Sequence, residues 1–201
     1  MIKNIVFDIG NVLCGYSWEP YFKSFGFSED VYERLCAATV KNEDWNEYDR
    51  GVLHRDEVLE LFIANDPGIE KEIRLTLTNL HDLLTRYDYA IPWIQELKAK
   101  GYRCYYLSNF SDAAYTDCGH VLDFVPYMDG GVFSYHEKVI KPQPEIFHIL
   151  MDRYGLKAQE CVFMDDLEKN VNAAKAEGME GIVFKSREQA IEMLKGLGVN
   201  A

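Results

Sequence analysis

Hydrophobic positions along the chain fall into two alternating textures. Short β-rich runs that stop at polar residues lie at Ile2 to Phe7, Arg103 to Leu107, Cys161 to Met164 and Gly181 to Phe184. Between the later runs, apolar residues recur at helical spacing with clear start and stop signals. Pro92 opens one helix and Gly101 closes it, with Trp93, Ile94 and Leu97 on one face. Pro144 opens another, which carries Ile146, Phe147, Ile149, Leu150 and Tyr154 before Gly155. A third spans about Leu167 to Glu177, stopped by Gly178, and a last one about Arg187 to Leu197. Strands alternating with helices of this length predict βαβ units. The expected fold is α/β, a parallel sheet with helices on both faces.

The stretch from about Tyr16 to Tyr89 breaks that rhythm. It shows no convincing strand, only helical patterns separated by Gly, Pro and Asp. Ser28 reads as the N-cap of a helix over Val31 to Val40. His54 to Ala64 places Val58, Leu59, Leu61 and Phe62 on one face, and Pro67-Gly68 opens a longer segment through Leu84. The pattern predicts about four helices inserted after the first strand. The expected division is a core of residues 1–15 and 90–201 and a helical cap of residues 16–89.

Composition narrows the functional classes. The 201 residues carry 21 Lys+Arg against 33 Asp+Glu, a formal net charge of −12. That balance argues against a nucleic-acid or anionic-membrane partner, which would favour Lys/Arg clusters. No stretch approaches the roughly 18 apolar residues of a spanning helix. The N-terminal run Met1 to Asp8 meets an acid too early for a signal peptide. Five cysteines, an odd number with no CxxC, fit reduced thiols better than a disulfide framework or zinc site. The expectation is a soluble cytoplasmic protein, monomer or weak homodimer.

An open parallel sheet keeps its ligand site at the carboxyl ends of its strands. The residues expected there are Asp8, Ser108-Asn109 and Asp165-Asp166, with Lys141 in the loop before the Pro144 helix. A carboxylate at one strand end can serve as a nucleophile or a metal ligand. A carboxylate pair at another makes a hard oxygen site suited to Mg²⁺. Ser108 and Asn109 can donate hydrogen bonds to phosphate oxygens, and Lys141 supplies a point charge. Each feature alone has an ordinary reading as a turn residue, helix-dipole partner or surface charge. Together, in order at one edge of one sheet, they read as metal-assisted phosphoryl transfer to aspartate followed by hydrolysis.

These segments resemble the motifs of the haloacid dehalogenase-like hydrolases. Ile5-Val6-Phe7-Asp8-Ile9-Gly10-Asn11-Val12-Leu13 resembles the first, Leu107-Ser108-Asn109 the second, Lys141-Pro142-Gln143-Pro144-Glu145-Ile146-Phe147 the third and Val162-Phe163-Met164-Asp165-Asp166 the fourth. The resemblance implies a Rossmann-like core, a helical (C1-type) cap, Mg²⁺ and phosphatase activity on a small phosphorylated metabolite. It implies Asp8 as nucleophile and metal ligand, the Gly10 carbonyl and Asp166 as further ligands, and Asp165 binding directly or through water. Ser108 and Asn109 would hold the transferring phosphoryl group. Lys141 would neutralise charge, and Asn170 would brace the acidic loop.

One position departs from the common phosphatase pattern, which has a second aspartate two residues after the nucleophile as general acid and base. Here Gly10 stands there. Ligation through its carbonyl survives, but proton transfer worth roughly 10²–10⁴-fold does not. The expected chemistry is therefore restricted to phosphates with better leaving groups: anomeric, acyl or aryl. The Asp-x-Gly-Asn form also resembles the subgroup containing α-D-glucose-1-phosphate phosphatases.

Two alternatives stay open at this level. A 2-haloacid dehalogenase also lacks that acid, although Asp165-Asp166 favours a metal and Val12 replaces the usual threonine of those enzymes. A weakly active protein whose capped pocket binds a regulatory ligand is the other. Tyr16, Trp18, Trp45 and Tyr48 are candidates to roof the pocket, with cap core as their ordinary role. The cluster Glu43, Asp44, Glu47 and Asp49 reads as a solvated face, one member of which could replace the missing acid. His54, His136 and His148 read as structural or exposed.

Overall fold

The computed structural model describes residues 1–201. Five strands, β1 (Asn4–Phe7), β4 (Arg103–Ser108), β5 (Gly130–Phe133), β6 (Cys161–Asp165) and β7 (Glu180–Val183), form one sheet in the order β5-β4-β1-β6-β7. Every neighbouring pair is parallel. The side-chain period of two divides each strand between two cores. Ile5, Phe7, Val162 and Met164 join the apolar cluster on one face, whereas Val6, Tyr105, Leu107 and Phe163 join the cluster on the other. The first cluster is completed by Trp93, Ile94 and Leu97 of α6 (Ala90–Ala99) and Ala190 and Leu194 of α11 (Arg187–Gly196). The second is completed by Ile146, Phe147 and Leu150 of α9 (Pro144–Tyr154) and Ala174 of α10 (Glu168–Ala176). The α/β architecture with helices on both faces is as the periodicity requires.

Three features differ from the pattern read along the chain. The strand β5 escapes a propensity reading because two of its four residues are glycine. Both are demanded by aromatic neighbours: a Cβ on Gly131 would lie 2.3 Å from the Tyr106 ring, and Gly130 has φ +147° with Tyr154 against it. Second, the stretch expected to lack strands contains half of a two-stranded antiparallel ribbon. It is formed by β2 (Cys14–Tyr16) and β3 (Leu84–Arg86), which pair Cys14 with Arg86 and Tyr16 with Leu84. Three-residue strands are too short to display alternation.

Third, five helices rather than four lie between those strands: α1 (Trp18–Lys23), α2 (Glu29–Ala38), α3 (Trp45–Arg50), α4 (Arg55–Asn65) and α5 (Glu70–Leu77). Helices α1 and α3 have six residues each, less than two turns, and show no repeat of an apolar stripe. Ser28 does cap α2, its hydroxyl accepting from the Val31 N–H. The segment opened by Pro67 ends at Leu77, seven residues before Leu84.

Register fixes what stands at the sheet's carboxyl edge. Phe7 is level with both Tyr106 and Met164, so Asp8, Ser108 and Asp165 emerge within one residue of the same level. Two short helices complete this end, α7 (Asp112–Asp117) and α8 (Ser134–Glu137), each following a strand end.

Candidate active site

Three separate chain segments converge on one buried ammonium group. Lys141, 2% exposed, comes from the loop before α9. Its Nζ lies 2.8 Å from Asp8 Oδ1 and 2.7 Å from Asp165 Oδ2. The lysine is aimed by Asn109, whose side-chain amide brackets its backbone: Asn109 Nδ2 donates to the Lys141 carbonyl at 3.0 Å, and the Lys141 N–H donates to Asn109 Oδ1 at 2.7 Å. Both peptide groups of this loop residue are thus satisfied by one side chain at the end of β4.

The carboxylates differ in how fully they are used. Asp165 is wholly buried, and its two oxygens accept from Lys141, the Leu167 N–H at 2.8 Å and the Asn170 amide at 3.0 and 3.1 Å. Asp8 accepts from Lys141 and from the Ile9 N–H at 2.7 Å. Burial pushes its carboxyl well above the ordinary range, Lys141 pulls it back, Asp165 pushes it up again, and the Ser108 hydroxyl contributes a small lowering. Burial alone would lower the Lys141 ammonium, but Asp8 and Asp165 outweigh that and hold it raised. The ammonium therefore stays charged between two acids.

Asp166 stands beside this pair and is raised chiefly by burial. Carboxylate oxygens of Asp8, Asp165 and Asp166 all lie within 4.8 Å of one another. Three acids against one lysine leave an excess of negative charge, and all the donors are hard oxygens, so the cluster fits a small divalent cation. Gly10 lines the same cavity.

Asn11 is a site residue that the sequence reading left without a role. Its φ of +55° is left-handed, a conformation asparagine tolerates better than most residues. In that turn its Nδ2 donates to Asp166 Oδ2 at 2.9 Å while its Oδ1 accepts from the Tyr16 N–H at 3.1 Å. One side chain thereby ties the acidic cluster to the start of the helical insertion. Ser134 is a second such residue, its hydroxyl accepting from the Phe110 N–H at 2.8 Å and donating to the Asp49 carbonyl at 2.6 Å. The asparagine after a glycine was a visible turn signal; nothing local marked Ser134.

A cavity of about 300 Å³ covers the cluster. Asp8, Ser108, Asn109 and Lys141 form one side, and Tyr16, Trp45 and Asp49 belong to the other. The remaining aromatic candidates do not reach it. Tyr48 is buried in the helical layer against Trp45 and Phe62, and Trp18 packs on Phe22. The acidic group at α3 also divides: Asp49 lines this cavity, whereas Glu43, Asp44 and Glu47 line a separate polar recess with Arg50. His54 sits at the N-cap of α4, His136 packs on Tyr135, and His148 meets Glu177 on the surface.

Known proteins resemble the chain in sequence and in fold. The chain is 25% identical over 181 residues to the sesquiterpene phosphatase astK of Aspergillus oryzae, covering 90% of this chain and 88% of that protein. It is 28% identical to the glyceraldehyde 3-phosphate phosphatase of Methanocaldococcus jannaschii, covering 89% and 83%. Its fold matches a haloacid dehalogenase family enzyme of Bacteroides thetaiotaomicron, in complex with magnesium and inorganic phosphate, with a TM-score of 0.71. That match covers 93% of this chain and 96% of the other at 23% identity. Residues 2–178 match the sequence pattern of the haloacid dehalogenase-like hydrolases. The chain is an enzyme of that family: it belongs to the haloacid dehalogenase-like hydrolases.

Proposed function

We propose that this hydrolase is a Mg²⁺-dependent phosphatase of a small phosphorylated metabolite, working through an aspartyl-phosphate at Asp8. The observation that carries this reading is the Lys141 ammonium held at 2.8 and 2.7 Å between Asp8 and Asp165, beside the further carboxylate of Asp166. A 2-haloacid is attacked at a carbon that carries no negative charge and would need no such concentration of cation-binding acids. A phosphate does, because a carboxylate attacking an anion must overcome like-charge repulsion. The phosphatase relatives and the magnesium and phosphate bound by the Bacteroides enzyme agree with this reading.

In this reading Asp8, Asp166 and the Gly10 carbonyl would hold the ion, with Asp165 joining directly or through water. Bound there, the ion would screen the charge of the phosphoryl group and orient it. Ser108 and Asn109 donate to phosphoryl oxygens, and Lys141 favours the ionised form of Asp8 while neutralising charge on the phosphate. An Asp8 oxygen attacks phosphorus as the ester oxygen departs; water then cleaves the aspartyl-phosphate and regenerates the carboxylate. The five inserted helices, expected as residues 16–89, act as a cap that shields the reacting centre from bulk water. The cavity volume suits a small molecule.

Removal of divalent ions is the direct test. With p-nitrophenyl phosphate as substrate, EDTA is expected to abolish turnover and excess Mg²⁺ to restore it. Turnover that survives chelation, or halide release from a 2-haloacid, would replace this reading with the dehalogenase one.

A further inference from the structure

An alkyl phosphate leaves as an alkoxide unless something protonates it, and Gly10 has no side chain to do so. The cavity contains few groups that can hold a transferable proton. Asp8 and Asp166 belong to the cluster that faces the phosphate, Lys141 is ion-paired twice, Lys169 is exposed on α10, and Tyr16 is pushed far above its ordinary range by burial. Asp49 is the remaining carboxyl among the cavity's lining residues.

Its placement is unusually well determined for a residue of the helical layer. Three groups of the core grip the end of α3. Ser134 Oγ donates to the Asp49 carbonyl at 2.6 Å, Arg50 Nη1 donates to Gln143 Oε1 at 2.8 Å, and Lys138 Nζ donates to the Gly51 carbonyl. Gly51, at φ +67°, sits so tightly on α8 that a Cβ would lie 2.8 Å from the Tyr135 Cα. The Asp49 backbone is therefore fixed to the core. Its side chain is partly buried, lines the cavity and is close enough to Asp8 and Lys141 to feel both charges. Beside it the Tyr16 hydroxyl is buried with no hydrogen-bond partner.

We propose that Asp49, supplied by the helical insertion, is the catalytic acid and base of this enzyme. This rests on the phosphatase reading above. As the bond from phosphorus to the ester oxygen breaks, its electron pair stays on that oxygen and the Asp49 proton moves to it, releasing a neutral alcohol. The Asp49 carboxylate then takes a proton from the water that attacks the aspartyl-phosphate, and the cycle closes. Burial, reinforced by the Asp8 charge, raises Asp49 to about 7, which suits both halves of that role. The substrate class widens accordingly, from esters with good leaving groups to ordinary alkyl phosphates.

The test compares two substrates within one preparation, so that any unfolded fraction cancels. Wild type with Mg²⁺ is assayed on β-glycerol phosphate, an alkyl ester, and on p-nitrophenyl phosphate, whose leaving group needs no proton. Asp49→Asn is expected to lower kcat/KM for the alkyl ester by about 10²-fold or more, and for the aryl ester by less than about 10-fold. Asp49→Ala gives the same comparison if the amide variant fails to fold. Equal losses on both substrates would make Asp49 a binding or structural residue and overturn the proposal. So would a wild type that cleaves the aryl ester but not the alkyl one. If wild type cleaves neither, the phosphatase reading itself fails.

Discussion

Asp8→Asn is expected to lose at least about 10⁴-fold in turnover of p-nitrophenyl phosphate while keeping its fold. The amide has nearly the shape of the carboxylate but no nucleophilic oxygen anion, so the covalent step has no route. The fold survives because Lys141 keeps its second partner, Asp165 at 2.7 Å, and the β1 backbone is untouched: the residue-8 N–H still donates to the Met164 carbonyl at 2.8 Å. Thermal denaturation of the two proteins side by side, followed by the kinetic assay, checks both halves. A variant with near-normal turnover refutes the nucleophile. A variant that melts far below wild type refutes the separation of chemistry from stability.

Lys141→Met is the complementary experiment, in which chemistry and stability fail together. The methionine is close in length and apolar, so the space fills, but Asp8 and Asp165 lose the buried cation between them. Removing one partner of a buried ion pair costs about 3–5 kcal/mol, roughly 6–20 °C in Tm for a chain of this size. The backbone bracket from Asn109 remains, so the loss reports the side chain. The deficit also carries a pH signature. Asp8 is already raised by burial and Asp165, and without Lys141 nothing strong pulls it down. The folded variant then holds a proton on Asp8 that the unfolded chain releases at lower pH, so its stability falls as pH rises through the raised folded value. Melting curves at pH 5 and pH 8 are expected to show the larger deficit at pH 8. A melting temperature equal to wild type at both would contradict the buried-triad description.

Much of the core was readable because strand ends announce themselves. A β-rich run that stops at Asp8, at Ser108 or at Asp165 places a polar side chain at one sheet edge, and parallel pairing brings those edges level. Lys141 was visible only through motif order; no local property distinguishes it from a surface lysine, yet the fold leaves it 2% exposed. The residues that escaped assignment act across long sequence separations. Ser134 reaches Asp49, 85 positions away, and Asn11 reaches Asp166 across 155. Asp49 sat among Glu43, Asp44 and Glu47, a cluster read as a solvated face of which one member could replace the missing acid, with nothing local to say which. The core's grip on α3 leaves that one residue in the lining of the cavity that holds Asp8 and the others in a different recess.

The glycine at position 10 takes on a different meaning in this light. A Cβ there would meet no atom within 4 Å, so packing does not forbid a side chain. The sequence alone makes its absence a loss of proton transfer. If Asp49 is the acid, as proposed, the absence instead leaves room between Asp8 and the helical layer for the leaving group.

Acid-quenched single turnovers, with enzyme in excess over p-nitrophenyl phosphate and Mg²⁺ present, test the account at its centre. Peptide mass spectrometry at successive quench times is predicted to find one phosphoryl group on Asp8 that appears with nitrophenol release and decays with phosphate release. Stoichiometric product with Asp8 unmodified at every time, or the phosphoryl group on another residue, would contradict it.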